Sequence, residues 1–156
     1  LKLSDLLKEE MVILTLNEDS KESVLKEMVG QIKRRHRFIK EKDLYDRLVQ
    51  RENLGSTAIG AGVAIPHCKL NSVKEPLVLL AVSRKGVDFH SIDGNAAHIF
   101  FLVVSSQENP SLNLQILAAI AHLVRRAERL QERILAAESP VAILAIIREE
   151  ENKLHE

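Results

Sequence analysis

The sequence predicts an α/β fold: a three-layer α/β/α sandwich with a mixed central β-sheet flanked by helices. Three observations point there. Residues 77–83 and 99–104 are near-continuous apolar runs, the pattern of central strands covered on both faces. Val24, Leu25, Met28, Val29 and Ile32 recur at the helical period. The last third of the chain reads as helix again, over 112–126, over a shorter 127–137, and beyond Ser139. Helices on both sides of buried strands need a layer each.

Taken in order, the chain opens on a short amphipathic stretch from Leu3 to Leu7, followed by a β-branched run of strand length at 12–16. Asp19 and Glu22 stand at capping-box spacing and open the first helix, whose exit through Lys33, Arg34 and Arg35 suits the negative end of a helix dipole. A second helix spans 41–52, with Leu44, Tyr45 and Leu48 on its inner face. Between Leu54 and Gly62 the periodicity vanishes. Gly55, Gly60 and Gly62 sit there among Ser56, Thr57 and Ala58, in a loop of the kind that carries function. Residues 63–65 read as a short strand stopped by Pro66, with His67 directly after the stop. A turn is expected at Asp93-Gly94-Asn95, and the final helix has Ser139 as N-cap and Pro140 at its first position. No internal repeat or low-complexity linker interrupts the chain, so a single domain over 1–156 is expected.

Composition narrows the function classes. With 156 residues, 46% of them apolar, the chain has one domain's worth of core and buries roughly 70% of its unfolded surface without a staple. A lone cysteine, Cys68, excludes an internal disulfide and a cysteine-built zinc site. The 22 Lys and Arg balance the 22 Asp and Glu, so no net field draws the chain onto nucleic acid or an anionic membrane, and electrostatic recognition must be local. Five aromatics, Phe38, Tyr45, Phe89, Phe100 and Phe101, are too few for a base-stacking platform, so nucleic acid is not an expected partner. No apolar run approaches the length of about 20 residues that spans a bilayer, and the opening lacks the features of a signal peptide. A cytoplasmic location without direct membrane insertion is expected.

Standard motifs fail in informative ways. Gly60-Ala61-Gly62 has only two glycines of a dinucleotide fingerprint and runs into a strand and Pro66 instead of opening a helix. A phosphate loop ending in Gly-Lys-Ser/Thr, a His-Glu-x-x-His helix and a nucleophile elbow are all missing. What remains is the stretch from Arg51 to His67. It offers a histidine after a strand-ending proline, a glycine-rich backbone able to aim N–H groups at an anion, two hydroxyls, and a guanidinium sixteen residues upstream. These suit a phosphoryl group held on an imidazole. By spacing alone a lone histidine near a loop is more often a solvated or hydrogen-bonded side chain, and Arg51 also reads as a basic helix end and the glycines and hydroxyls as loop geometry. Cys68 beside His67 suggests a thiol–imidazole pair, the basis of a Cys-His hydrolase, against the plainer reading of a small apolar filler on the opposite strand face. His36 and His155 read as solvated. His90 and His98 flank the Asp-Gly turn without a third ligand, and Arg125, Arg126, Arg129 and Arg133 form a solvated charge run.

The run Arg-Glu-x-Leu-Gly-Ser-Thr-Ala-Ile-Gly-x-Gly-Val-Ala-Ile-Pro-His, residues 51–67, resembles the signature of the fructose/mannitol-type enzyme IIA domains of the bacterial phosphoenolpyruvate-dependent phosphotransferase system, including their nitrogen-regulatory branch. Further similarity lies in Gly86-Val87-Asp88-Phe89, in Ser91-Ile92-Asp93-Gly94, in the strand 99–104 and in Leu114-x-x-Leu117-Ala118, so it covers nearly the whole chain in order. The resemblance implies a phosphocarrier. His67 would accept a phosphoryl group on Nε2 from phosphorylated HPr or its nitrogen-branch paralogue. It would then pass the group to a IIB domain, or signal by its phosphorylation state to a regulated target protein. Arg51 would steady the transferring oxygens, with Asn113, Ser56, Thr57 and the backbone at Gly60 and Gly62 in support, and no cofactor or metal is called for. The family usually places a second histidine where this chain has Asn113, which cannot carry a positive charge. Weaker stabilisation of the phosphorylated state is therefore expected, and a regulatory role gains over sugar transport. His122 lies nine residues on from Asn113, about two and a half helical turns, too far to take its place.

Overall fold

In the computed structural model, which describes residues 1–155, two short helical turns (Leu3–Asp5 and Glu9–Met11) lead into β1 (Val12–Ile13). Next come α1 (Lys21–Arg35), α2 (Glu41–Asn53), β2 (Ala58–Gly60), β3 (Val63–Ala64), β4 (His67–Leu70), β5 (Leu77–Val87) and β6 (Ala97–Ser106). Three helices close the chain: α3 (Pro110–Arg126), α4 (Leu130–Ala136) and α5 (Pro140–Leu154). The strands form one mixed sheet in the order β1-β5-β6-β3-β2, with β4 also paired to β6. β5 and β6 run antiparallel at its centre, and β6 and residues 78–83 of β5 are buried on both faces, as their unbroken apolar runs require.

Alternation along the strands sends side chains into two separate cores. Val63, Ile65, Phe101 and Val103 pack against Ile116, Ile120 and Leu123 of α3 and Ile143 and Ile147 of α5. Ala64, Phe100, Leu102 and Val104 face Val24, Leu25 and Met28 of α1 and Leu44 and Leu48 of α2. The α/β/α layering read from the sequence is the layering observed.

Local details differ from expectation, each for a physical reason. The α1 capping box is built by Ser20 and Ser23, not by Asp19 and Glu22: Ser20 Oγ accepts from Ser23 N at 3.2 Å and Ser23 Oγ accepts from Ser20 N at 3.1 Å. The strand expected over 12–16 shrinks to two residues because the Arg84 guanidinium takes the carbonyl of Leu14 (2.8 Å) and the hydroxyl of Thr15 (3.2 Å). The stretch 54–62, expected as loop throughout, contains β2, which pairs antiparallel with β3.

The difference that matters most is β4. Pro66 does not end the strand begun at Val63; it interrupts it. Val63 and Ala64 lie opposite Ile99 and Phe100, and His67 and Cys68 lie opposite Val103 and Val104, so the register with β6 passes through Ile65-Pro66 without a slip. The Pro66 carbonyl still accepts from Val103 N (2.9 Å), while the Ile65 N–H turns to the Thr57 carbonyl (3.0 Å). His67 therefore sits on a strand anchored to the centre of the sheet, not on a free loop.

Candidate active site

His67 opens β4, where the chain passes the carboxyl end of α2 and the start of α3. Its Nδ1 lies 2.7 Å from the Ile65 carbonyl oxygen. A carbonyl only accepts, so Nδ1 must carry the proton, and the neutral ring then holds its lone pair on Nε2. The half-buried imidazole has its pKa held below the ordinary value of 6.5. Burial, which penalises the charged ring, is the main cause. The Ile65 hydrogen bond opposes it, the Arg51 charge adds to it, and the Glu52 charge opposes it. The sign is clear: the neutral, nucleophilic ring persists to lower pH than in a free histidine. The ring titration followed by NMR is expected to have its midpoint below 6.5, moving upward in Arg51→Ala as a repelling cation is lost; a wild-type midpoint above 6.5 would contradict the arrangement.

The ring opens onto a cleft of about 520 Å³ between α2 and α3, floored by β4 and β6. Each helix lends one stripe at helical spacing. From α2 and the residue after it come Arg47, Gln50, Arg51 and Leu54; from α3 come Pro110, Asn113, Leu114 and Leu117. Arg51 stands in the last turn of α2, where its Nη1 donates to the Gly55 carbonyl at 2.9 Å, its one side-chain hydrogen bond among the described residues. Its charge reaches His67, as the lowered ring pKa registers. Leu54 and Leu114 are 84% and 68% exposed at the rim, an unusual apolar display beside a charged cleft.

Of the residues singled out from the sequence for phosphoryl chemistry, the cleft brings together His67, Arg51 and Asn113, and Cys68 borders it as well. Asn113 is buried, and its Nδ2 donates to the Ser106 carbonyl at 2.8 Å. One of its two amide N–H groups is thus held by the scaffold, and among the described residues Oδ1 has no protein hydrogen-bond partner.

The other four lie outside the lining of the cleft. The Ser56 hydroxyl donates to the Phe89 carbonyl and accepts from Ala58 N at 3.1 Å. Thr57 is buried, with both its N–H (3.1 Å) and its hydroxyl donating to the Glu52 carboxylate. Glu52 in turn pairs with Lys21 at 2.9 Å, and the Lys21 ammonium stands 4.6 Å from the centre of the Phe89 ring. This buried network ties the start of α1, the end of α2 and the following loop together, so the two hydroxyls hold the backbone that carries Arg51. Gly60 and Gly62 have φ of 86° and 77° and bracket Ala61, also at positive φ (56°), in the turn between β2 and β3. That turn is bound to the neighbouring loop: Asp93 accepts from Ala61 N at 3.2 Å, and the Gly62 carbonyl accepts from His98 N at 2.8 Å. The glycines serve that geometry, which strains any L side chain.

The hydrolase reading of Cys68 finds no support in its surroundings. Burial pushes its thiol up to about 12 despite the opposing charge of Arg47, which disfavours a thiolate nucleophile, and although the residue borders the cleft it packs in the apolar core beneath α1 and α2. Arg47, Lys69 and Gln107, which also line the cleft, went unremarked in the sequence. The signal was present for Arg47, four residues before Arg51 on one helix and therefore on the same face.

This fold is that of a known class. The sequence model of the phosphoenolpyruvate-dependent sugar phosphotransferase system, EIIA 2, matches residues 5–150, and the chain belongs to that family. It is 32% identical over 149 residues to the PTS system fructose-specific EIIABC component of Bacillus subtilis, covering 96% of this chain but 23% of that one. It is 31% identical over 145 residues to the nitrogen regulatory protein of Bradyrhizobium diazoefficiens, covering 93% of this chain and 94% of that one. Among solved structures, the nitrogen regulatory protein IIA-Ntr of Neisseria meningitidis superposes with a TM-score of 0.86 at 25% identity, over 93% of this chain and 98% of that one. Enzyme IIA in the Escherichia coli complex of IIAMTL with phosphorylated IIBMTL shares the fold, with a TM-score of 0.75 at 18% identity over 92% of this chain and 97% of that one. No helix among the described residues is long and apolar enough to cross a membrane.

Proposed function

We propose that this chain is a cytoplasmic phosphocarrier that takes a phosphoryl group onto His67 Nε2 from a phosphohistidine of HPr or its nitrogen-branch paralogue and yields it to a IIB-type domain. The supporting observation is the Ile65 carbonyl, which claims the Nδ1 proton and leaves Nε2 as the only open lone pair of a ring held neutral. In the step itself, the Nε2 lone pair forms a bond to phosphorus as the donor's N–P bond breaks, and that electron pair returns to the donor's ring nitrogen. His67 keeps its Nδ1 proton on Ile65 throughout, so the phosphorylated ring gains cationic character facing its own phosphate. The free edge of the Arg51 guanidinium meets the equatorial oxygens, where charge builds as the group crosses. The exposed leucines at the rim give an incoming protein an apolar surface against which to exclude water.

A second reading, in which the phosphorylation state is itself the signal to a regulated target protein, is favoured by Asn113, whose amide puts no cation beside the phosphoryl group. Both readings share the first transfer. Incubation with phosphoenolpyruvate, enzyme I and HPr, or with the nitrogen-branch pair, is expected to load the chain with one phosphoryl group that acid removes and base does not. No uptake from either pair, or an acid-stable phosphate, would overturn the proposal.

A further inference from the structure

Thr57 is buried and lies outside the lining of the cleft, yet its hydrogen bonds run to both halves of the site. Toward α2, its N–H donates to Glu52 Oε1 at 3.1 Å and its hydroxyl donates to Oε2, so one residue holds both oxygens of a buried carboxylate. The same Oε1 lies 2.9 Å from the Lys21 ammonium, whose side chain is itself largely buried, and this cation compensates a charge kept from water. Between Glu52 and Thr57 the chain closes a short loop. Gly55 N donates back to the Glu52 carbonyl at 3.0 Å, and the Gly55 carbonyl takes Nη1 of Arg51 at 2.9 Å. The guanidinium is thus aimed by a carbonyl whose loop is pinned at Thr57. Toward the strand, the Thr57 carbonyl accepts from Ile65 N at 3.0 Å, and the Ile65 carbonyl in turn lies 2.7 Å from His67 Nδ1. Arg51 and His67 share no direct hydrogen bond among the described residues, but Thr57 holds the backbone that holds each of them.

We infer that Thr57 is a positioning residue: clamped to Glu52, it fixes the Arg51 guanidinium relative to the His67 ring, and so governs the chemical step and not the binding of the donor. The inference rests on the phosphocarrier reading and adds to it a residue that acts only through others. A misplacement of about 1 Å at a reacting centre slows a reaction by as much as about 100-fold, and releasing one of the two bonds that pin this loop is expected to cost part of that.

The test is single-turnover transfer from the phosphorylated HPr-type donor of the protein's own source to the wild type, Thr57→Val, Thr57→Ser, Arg51→Ala and the double variant T57V/R51A. Valine removes the hydroxyl, keeps a similar shape and leaves the carbonyl bond to Ile65 in place. It also keeps every charge, whereas Glu52→Gln leaves Lys21 a buried cation without its partner. Thr57→Val is expected to lower the rate at saturating donor about tenfold with apparent affinity unchanged, and Thr57→Ser, which restores the hydroxyl, to stay within about twofold of wild type. In the Arg51→Ala background Thr57→Val is expected to change the rate by less than about twofold, because the group it positions is gone. A melting curve for each variant checks the fold, and Thr57→Ala repeats the comparison without the added methyl group. A Thr57→Val rate equal to wild type, a loss confined to apparent affinity, or a loss that persists in full without Arg51 would overturn the inference while leaving the phosphocarrier reading intact. A wild type that takes no phosphate from any donor defeats the phosphocarrier reading, and the inference falls with it.

Discussion

His67→Ala is expected to take up no phosphoryl group from a donor that loads the wild type fully, while remaining folded. Of the six histidines in the chain, His67 is the one that lines the cleft, so no second imidazole stands ready to receive the group. The fold has little to lose. The ring is half-buried and makes one protein hydrogen bond, to Ile65, a contact of about 1 kcal/mol. For a chain of this size that amounts to a few degrees in Tm. Labelling measured by intact mass alongside a melting curve separates a missing nucleophile from a missing fold. Residual labelling near the wild-type extent would place the acceptor elsewhere.

The second large effect is expected at Arg51. Arg51→Ala is expected to slow transfer about 100-fold, the usual cost of removing one fixed donor to a developing oxyanion. Arg51→Lys should fall between the two, since it restores a charge but not the planar fork. Arg47, one turn earlier, serves as the comparison: a loss in the chemical rate at saturating donor belongs to Arg51, and a loss in apparent affinity to the rim. Single-turnover transfer from a saturating concentration of phosphorylated donor makes the distinction. Equal chemical rates for wild type and Arg51→Ala would remove the guanidinium from the mechanism.

What the sequence made legible follows from which interactions are local. The central strands β5 and β6 showed themselves because burial on both faces leaves no polar residue to break the run, and α1 and α2 because one face repeats at 3.6 residues. His67 and Arg51 stood out because a proline, a run of glycines and a basic helix end are each locally diagnostic. The continuation of the strand through Pro66 was hidden, because proline is a stop in any single-strand reading and only the partner β6 reveals the preserved register. The duty of Thr57 was hidden for a similar reason. Its hydroxyl looks free until Glu52, an acid expected at the surface, proves to be buried against Lys21 some thirty residues earlier. Asn113 lines the cleft with His67, and one of its amide N–H groups is held by Ser106, a partner that only the meeting of β6 and α3 supplies.

The proposed transfer turns on one nitrogen, and that nitrogen can be observed. In ¹⁵N-labelled protein phosphorylated through its donor, long-range ¹H–¹⁵N correlations of the His67 ring report which nitrogen bears phosphorus and which bears a proton. The expected result is phosphorus on Nε2 with the Nδ1 proton retained toward Ile65. Phosphorus on Nδ1, or an unmodified His67 in a fully phosphorylated chain, would contradict it.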